Sequence, residues 1–238
     1  MPNEHIVRSY DEDLRRLRDM AARMGGLAER QVADATRALV RRDTDLASEV
    51  VQRDVQIDAL EREIEAFCVQ LLALRQPVAS DLRVIISVMK VSNDLERIGD
   101  YAANAAKRAI VLASLPALGS LNGFERMTHL VQENLKAAMD ALVNNDAEAA
   151  ERVWAADEPI DTIHNGIFRE LLTFMMEDPR NISAATHMLF IAKNLERIGD
   201  HTTNIAERIH YAVRGDSLPD ERPKADDSAY AVVRPAGE

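Results

Sequence analysis

Apolar residues recur in steps of three and four along most of the chain. One run passes through Ile57, Leu60, Ile64, Phe67, Leu71 and Leu74. Another passes through Val84, Val88, Val91, Leu95, Ile98, Ala102, Ala105, Ala109 and Leu112. This is the period of a single helix face, and over such lengths it predicts long antiparallel rods packed along a seam. Thirty helical residues reach about 45 Å. A first helix is expected from about Arg8 to Arg41, and Asp43 is placed to cap a second that ends at Pro77. A third closes at Pro116. No period-two alternation is long enough to argue a strand.

The pattern then returns. "ALVRRDTDLASEVVQRDVQIDALEREI" from Ala38 aligns with "ALVNNDAEAAERVWAADEPIDTIHNGI" from Ala141, 103 residues on. Asp43 meets Asp146, Asp54 meets Asp157, Asp58 meets Asp161, and Pro77 answers Pro179. "DLERIGDYAAN" from Asp94 comes back as "NLERIGDHTTN" from Asn194, 100 residues on. The third-helix seam recurs as Met188, Ile191, Leu195, Ile198, Ile205 and Ile209. Two copies of one unit therefore fill most of the chain. The expectation is an all-α protein of six helices in two pseudo-symmetric three-helix bundles, over 8–115 and 120–213. Residues 214–238, rich in Pro, Asp and Gly, read as a disordered tail.

Composition sharpens this picture. The chain is 47% hydrophobic but only 4% aromatic, a mix dominated by unbranched and small side chains that favours helix over sheet. Its net charge of −11 argues against nucleic acid or anionic membrane as a partner. No apolar run approaches the roughly 20 residues that span a bilayer, so direct membrane insertion is not expected. "MPNEHIVRSYDEDLRRL" lacks an apolar signal core, which points to the cytoplasm. Cys68 stands alone and is expected as a buried, inert thiol.

The candidate chemistry is acidic. Glu96 and Asp100 are four apart, so on a helix they stand one above the other, and Asn104 extends the row. Glu196, Asp200 and Asn204 repeat it. Helical phase turns both rows away from the core seam. Asp54 with Asp58, and Asp157 with Asp161, form a second pair in each unit. With every pair on a continuous helix, antiparallel packing would set two pairs side by side as a patch of four carboxylates. Such a patch repels itself unless a cation neutralises it, and its oxygens suit Mg, Mn, Fe or Zn.

Blander readings stand beside this one. Acid-x-x-x-acid pairs are common on solvated helix faces, and Asp54 on the second-helix seam would serve to specify register. Asp157, two residues before Pro159, would serve as the cap of a kinked helix. Gly99 and Gly199 cost their helices about 1 kcal/mol each against Ala, which suggests a close approach from a neighbour or room for a ligand. Glu207 and His210 fit the Glu-x-x-His spacing of di-iron bundles, but that site needs two such motifs. His164 and His201 read as surface or packing residues. The chain has no Gly-rich phosphate loop, no HExxH helix and no Ser or Cys nucleophile context, so an enzyme is not indicated.

"LLALRQPVASDLRVIISVMKVSNDLERIGDYAAN" resembles the most recognisable segment of the PhoU family, and "FIAKNLERIGDHTTNIAER" resembles its second copy. The similarity covers roughly 8–213. It implies two pseudo-symmetric three-helix bundles and a cytoplasmic homodimer that restrains the phosphate-starvation response. It further implies an adaptor between the cytoplasmic side of a phosphate-specific ABC transporter and a PhoR-like sensor histidine kinase. Divalent or trivalent metal ions are implied as ligands of Asp54, Asp58, Glu96, Asp100, Asp157, Asp161, Glu196 and Asp200. Pro159 is a departure from the family's pattern. The alternative class is a metal-storage or di-metal helical-bundle protein, against which the missing second Glu-x-x-His counts.

Overall fold

The structure, a computed structural model, describes residues 2–219, with side chains from Tyr10 onward. The expected tail therefore falls, from residue 220 on, outside the described residues. The first repeat is α1 (Pro2–Arg41), α2 (Thr44–Arg75) and α3 (Ala79–Ala113). The second is α4 (Asn122–Asn144), α5 (Ala147–Trp154), α6 (Glu158–Glu177) and α7 (Ile182–Arg214), with a 3-10 turn at Pro179–Asn181. No strand occurs among the described residues.

Boundaries follow local chemistry. Asp43 Oδ1 accepts the Leu46 N–H at 2.9 Å, and Asp146 Oδ1 accepts that of Ala149 at 2.9 Å, so the duplicated aspartates cap α2 and α5. Arg42, in the left-handed region at φ 55°, turns its guanidinium onto the carbonyls of Leu112, Ala113 and Leu115. It thereby satisfies the open C-terminal end of α3.

One expectation is corrected. The middle helix of the second repeat is two helices, parted after Trp154 and resumed at Glu158. Pro159 sits in the first turn of α6, where its missing N–H costs nothing, whereas inside a helix it would lose a bond and clash with the preceding turn. In the first repeat the aligned residue is Gln56, and α2 runs through unbroken.

The core is a closed bundle of four helices, α1, α3, α7 and α4, each packed on the next and α4 on α1, with α2 packed on α1 and α3, and α5 and α6 on α4 and α7. The most extensive contact joins α3 to α7. These two run antiparallel, since Asp94 meets His201 while Arg108 meets His187. Their seam holds Leu95, Ile98, Ala102, Leu195, Ile198 and Ile205, each at most 2% exposed. Further buried alanines on both helices, among them Ala105, Ala106, Ala192 and Ala206, let the helix axes approach closely. The pseudo-two-fold extends to α1 and α4. Thr36 Oγ1 and Thr128 Oγ1 are 2.7 Å apart there, and at the pair related by the repeat Met139 fills the space that Gly25 leaves without a Cβ.

Candidate functional site

In the first repeat the acids gather where α2 crosses α3. Asp54 Oδ1 accepts Gln31 Nε2 at 2.8 Å, and the same nitrogen donates to the Gly99 carbonyl at 3.2 Å. The reason for glycine is visible here. A Cβ on Gly99 would lie 3.0 Å from Asp54 Oδ1 and 2.9 Å from Ile57 Cδ1. The glycine is thus a seat for a carboxylate and an isoleucine of the neighbouring helix, rather than a backbone crossing.

Electrostatics join the two pairs. Burial pushes the Asp54 carboxyl above its ordinary pKa, the Gln31 hydrogen bond opposes this, and repulsion from Asp58 and Asp100 adds to it. Burial likewise raises Glu96, with Asp100, Glu61 and Asp58 adding to the rise and Arg97 opposing it. Asp58 and Glu96 therefore share one side of the bundle. Asp54, Asp58, Glu96 and Asp100 thus lie within electrostatic reach of one another, and Glu61 joins them. Sequence reasoning missed Glu61, although it stands three residues beyond Asp58 on the same helix face. Arg97 Nη1 reaches Asp100 Oδ2 at 3.1 Å in a solvent-exposed ion pair.

The second repeat builds the same seat differently. A Cβ on Gly199 would lie 3.3 Å from Asp157 Oδ1 and 3.2 Å from Ile160 Cδ1, matching the first seat residue for residue. Yet Asp157 and Asp161 are not on one continuous helix, because Asp157 is the cap residue ahead of α6. Nor does the row here face solvent: Asp157, Asp161 and Glu196 are 2%, 3% and 6% exposed, while Asp200 is half-buried. Lys193 Nζ donates to Glu196 Oε1 at 2.8 Å. Lys193 replaces Asn93 of the first copy, and the buried His164 replaces Glu61. Asn134, at the place of Gln31, donates instead to the Ala156 carbonyl at 3.2 Å.

As placed, no group of three or more His, Cys, Asp or Glu side chains among the described residues is arranged to hold a metal ion. The first patch has the right donor chemistry, all oxygen and mutually repelling, without a closed ligand set. Elsewhere, Glu207 Oε1 accepts Trp154 Nε1 at 3.0 Å and His210 Nδ1 lies 3.3 Å from the Asp216 carbonyl, so the lone Glu-x-x-His pair is used in packing. Cys68 is fully buried, and burial pushes its thiol up to about 12, well outside the reactive range. No helix among the described residues is long and apolar enough to cross a membrane.

These features define a class, the all-helical two-repeat bundle with a duplicated acidic seat at the crossing of its second and third helices. The chain belongs to the PhoU family, whose PhoU domain matches residues 21–109 and again 124–209. It is 51% identical over 224 residues to the phosphate-specific transport system accessory protein PhoU homolog of Caulobacter vibrioides, covering 94% of this chain and 97% of that one. The homolog of the same name from Rhizobium meliloti is 46% identical over 227 residues, covering 95% and 96%. The crystal structure of PhoU from Pseudomonas aeruginosa superposes with a TM-score of 0.82 at 44% identity, over 87% of this chain and all of that one. PhoU from Streptococcus pneumoniae, described as a phosphate transport system regulatory protein, gives 0.82 at 30% identity over 88% and 99%.

Proposed function

We propose that this protein is an accessory regulator of phosphate transport that represses the phosphate-starvation response. In this reading it links the cytoplasmic side of a phosphate-specific ABC transporter to a sensor histidine kinase, as a cytoplasmic homodimer. The observation that carries it is the 51% identity to the Caulobacter vibrioides phosphate-specific accessory protein, which extends over 94% of the chain. It acts by binding rather than by catalysis. Long exposed helix faces, two of them similar by duplication, suit simultaneous contact with two partners.

Metal ions enter at the first acidic patch. Five carboxylates there share one environment, and burial and repulsion already raise two of them. A divalent or trivalent cation would relieve that repulsion once the flexible Glu61 and Glu96 side chains turned toward it. The second seat is the weaker candidate because Lys193 already supplies a positive charge to Glu196.

Deleting the gene and reading phosphatase output in phosphate-rich medium tests the regulatory role. Constitutive output supports it, and normal repression refutes it. Pull-downs of the sensor kinase and of the transporter's cytoplasmic subunit, with and without Mn, test the adaptor. If neither partner is retained in phosphate, metal handling becomes the better account.

A further inference from the structure

Three buried polar atoms have no hydrogen-bond partner among the described residues: Arg83 Nε and Ser87 Oγ on α3, and Arg208 Nε on α7. Ser87 is 2% exposed. A native interior seldom leaves such donors unmatched, and where it does the missing partner is often a bound group. Two of these residues, Ser87 and Arg208, border a common space. They line a cleft of about 570 Å³ together with Lys90, Tyr211 and the Ser217–Pro219 segment that follows α7. Arg83 is one helical turn before Ser87, and its guanidinium lies against Gly215, two residues ahead of that segment.

The charge of this cleft is opposite to that of the chain. Lys90 and Arg208 line it, and among the described residues neither they nor Arg83 make an ion pair. Its one carboxylate, Glu207, is turned to Trp154 Nε1. Lys90 and Arg208 also border a neighbouring groove with Glu61, Glu65 and Asp94, of which Asp94 is engaged by His201 at 2.8 Å. A hydroxyl, an ammonium and a guanidinium converging in this way fit the oxygens of a phosphoryl group. Ile86, the Tyr211 ring and Leu218 form an apolar wall beside them, and the volume falls within the range of about 300–1,000 Å³ usual for small-molecule sites.

We propose that this cleft binds a phosphorylated small molecule with an aromatic body, of the nucleoside monophosphate class. Ser87, Lys90 and Arg208 take the phosphoryl oxygens, and Tyr211 covers the ring. The site does not rest on the adaptor role, so either stands if the other falls.

Isothermal titration of the full chain with AMP, and separately with inorganic phosphate, tests it. AMP should bind saturably and about tenfold or more tighter than phosphate. Lys90→Gln, at an exposed position, and Arg208→Gln should each weaken AMP about tenfold. Ser87→Ala, which keeps the charge, should weaken it less, and Tyr211→Ala should weaken AMP but not phosphate. Circular dichroism melts establish that each variant is folded. Absence of saturable AMP binding, or AMP binding unchanged in folded Lys90→Gln and Ser87→Ala, overturns the proposal. Equal affinity for phosphate and AMP overturns the role given to Tyr211.

Discussion

The two acidic seats share a frame and differ in what neutralises them. In each, a glycine on the third helix receives an aspartate and an isoleucine from the preceding element: Gly99 with Asp54 and Ile57, Gly199 with Asp157 and Ile160. Around the first seat stand Glu61, Glu96 and Asp100, and the surplus negative charge is left to solvent or to an added cation. Around the second, Lys193 and His164 occupy the places of Asn93 and Glu61, and Glu196 is buried against the lysine. Duplication has kept the packing device while the electrostatics moved apart. One half buries its glutamate against a lysine, and the other leaves its carboxylates to repel one another, with only the exposed Arg97–Asp100 pair beside them.

Overfilling the seats should have the largest effect. Gly99→Val places a branched side chain where even a Cβ meets Ile57 Cδ1 at 2.9 Å, and should cost about 3 kcal/mol. In a chain of this size that lowers Tm by about 6–12 °C. Gly199→Val meets its nearest neighbour at 3.2 Å and should cost less. Thermal melts of the two variants compare them directly. Equal losses would mean that the seats are mechanically equivalent.

Removing the built-in cation comes next. Lys193→Met strips Glu196, 6% exposed, of its charged donor and should cost about 1–2 kcal/mol, at the lower end because the lysine is partly open to water. Adding Glu196→Gln should restore most of that loss. If the double variant melts as low as the single one, charge is not what Lys193 contributes.

Much of this contrast was out of reach of the sequence, for identifiable reasons. Long helices were legible because buried residues such as Ile57, Leu60, Ile64 and Leu71 keep steps of three and four over many turns. The break between α5 and α6 was marked only by Pro159, since the apolar steps through Ile160, Ile167 and Leu171 continue past it. The acidic pairs were legible as i, i+4 neighbours, and Glu61 was equally available as the next turn. The burial of Glu196 was not, because phase on one helix does not reveal how far the neighbouring helix covers it. The glycines announced a close approach without naming the carboxylate that makes it. The cleft between α3 and α7 joins Ser87 to Arg208 across 121 positions, and no local spacing points there.

Relieving the open patch should have a smaller effect, of opposite sign. Burial and like-charge repulsion raise Asp54 and Glu96 above their ordinary values in the folded state, so it holds protons that the unfolded chain releases. Their ionisation therefore opposes folding fully at neutral pH. That opposition fades as pH falls through the raised folded values, and is gone below the unfolded values of about 4. Asp54→Asn keeps an oxygen for Gln31 and removes the charge. Tm at pH 7 should rise by about 2–4 °C, the shift given by about 1 kcal/mol, and the rise should vanish at about pH 3, below the unfolded value. A stabilisation equal at both pH values would show that charge is not its source.

The smallest effect sharpens the comparison most, because it asks one half to become the other. Asn93 is exposed and three residues before Glu96, as Lys193 is three before Glu196. Asn93→Lys should therefore place an ammonium on the first patch, with a gain of about 0.5 kcal/mol, the size of an exposed ion pair one helical turn apart. The gain in Tm alone is about 1–2 °C and would not discriminate. The response to metal would. Mn should stabilise the wild-type chain by mass action, and stabilise Asn93→Lys distinctly less, since the lysine and the ion compete for the same carboxylates. The same titration on Lys193→Met should show the reverse, a metal response gained at the second seat. If Mn stabilises all three chains equally, the ion binds elsewhere, and the difference between the seats concerns folding rather than metal.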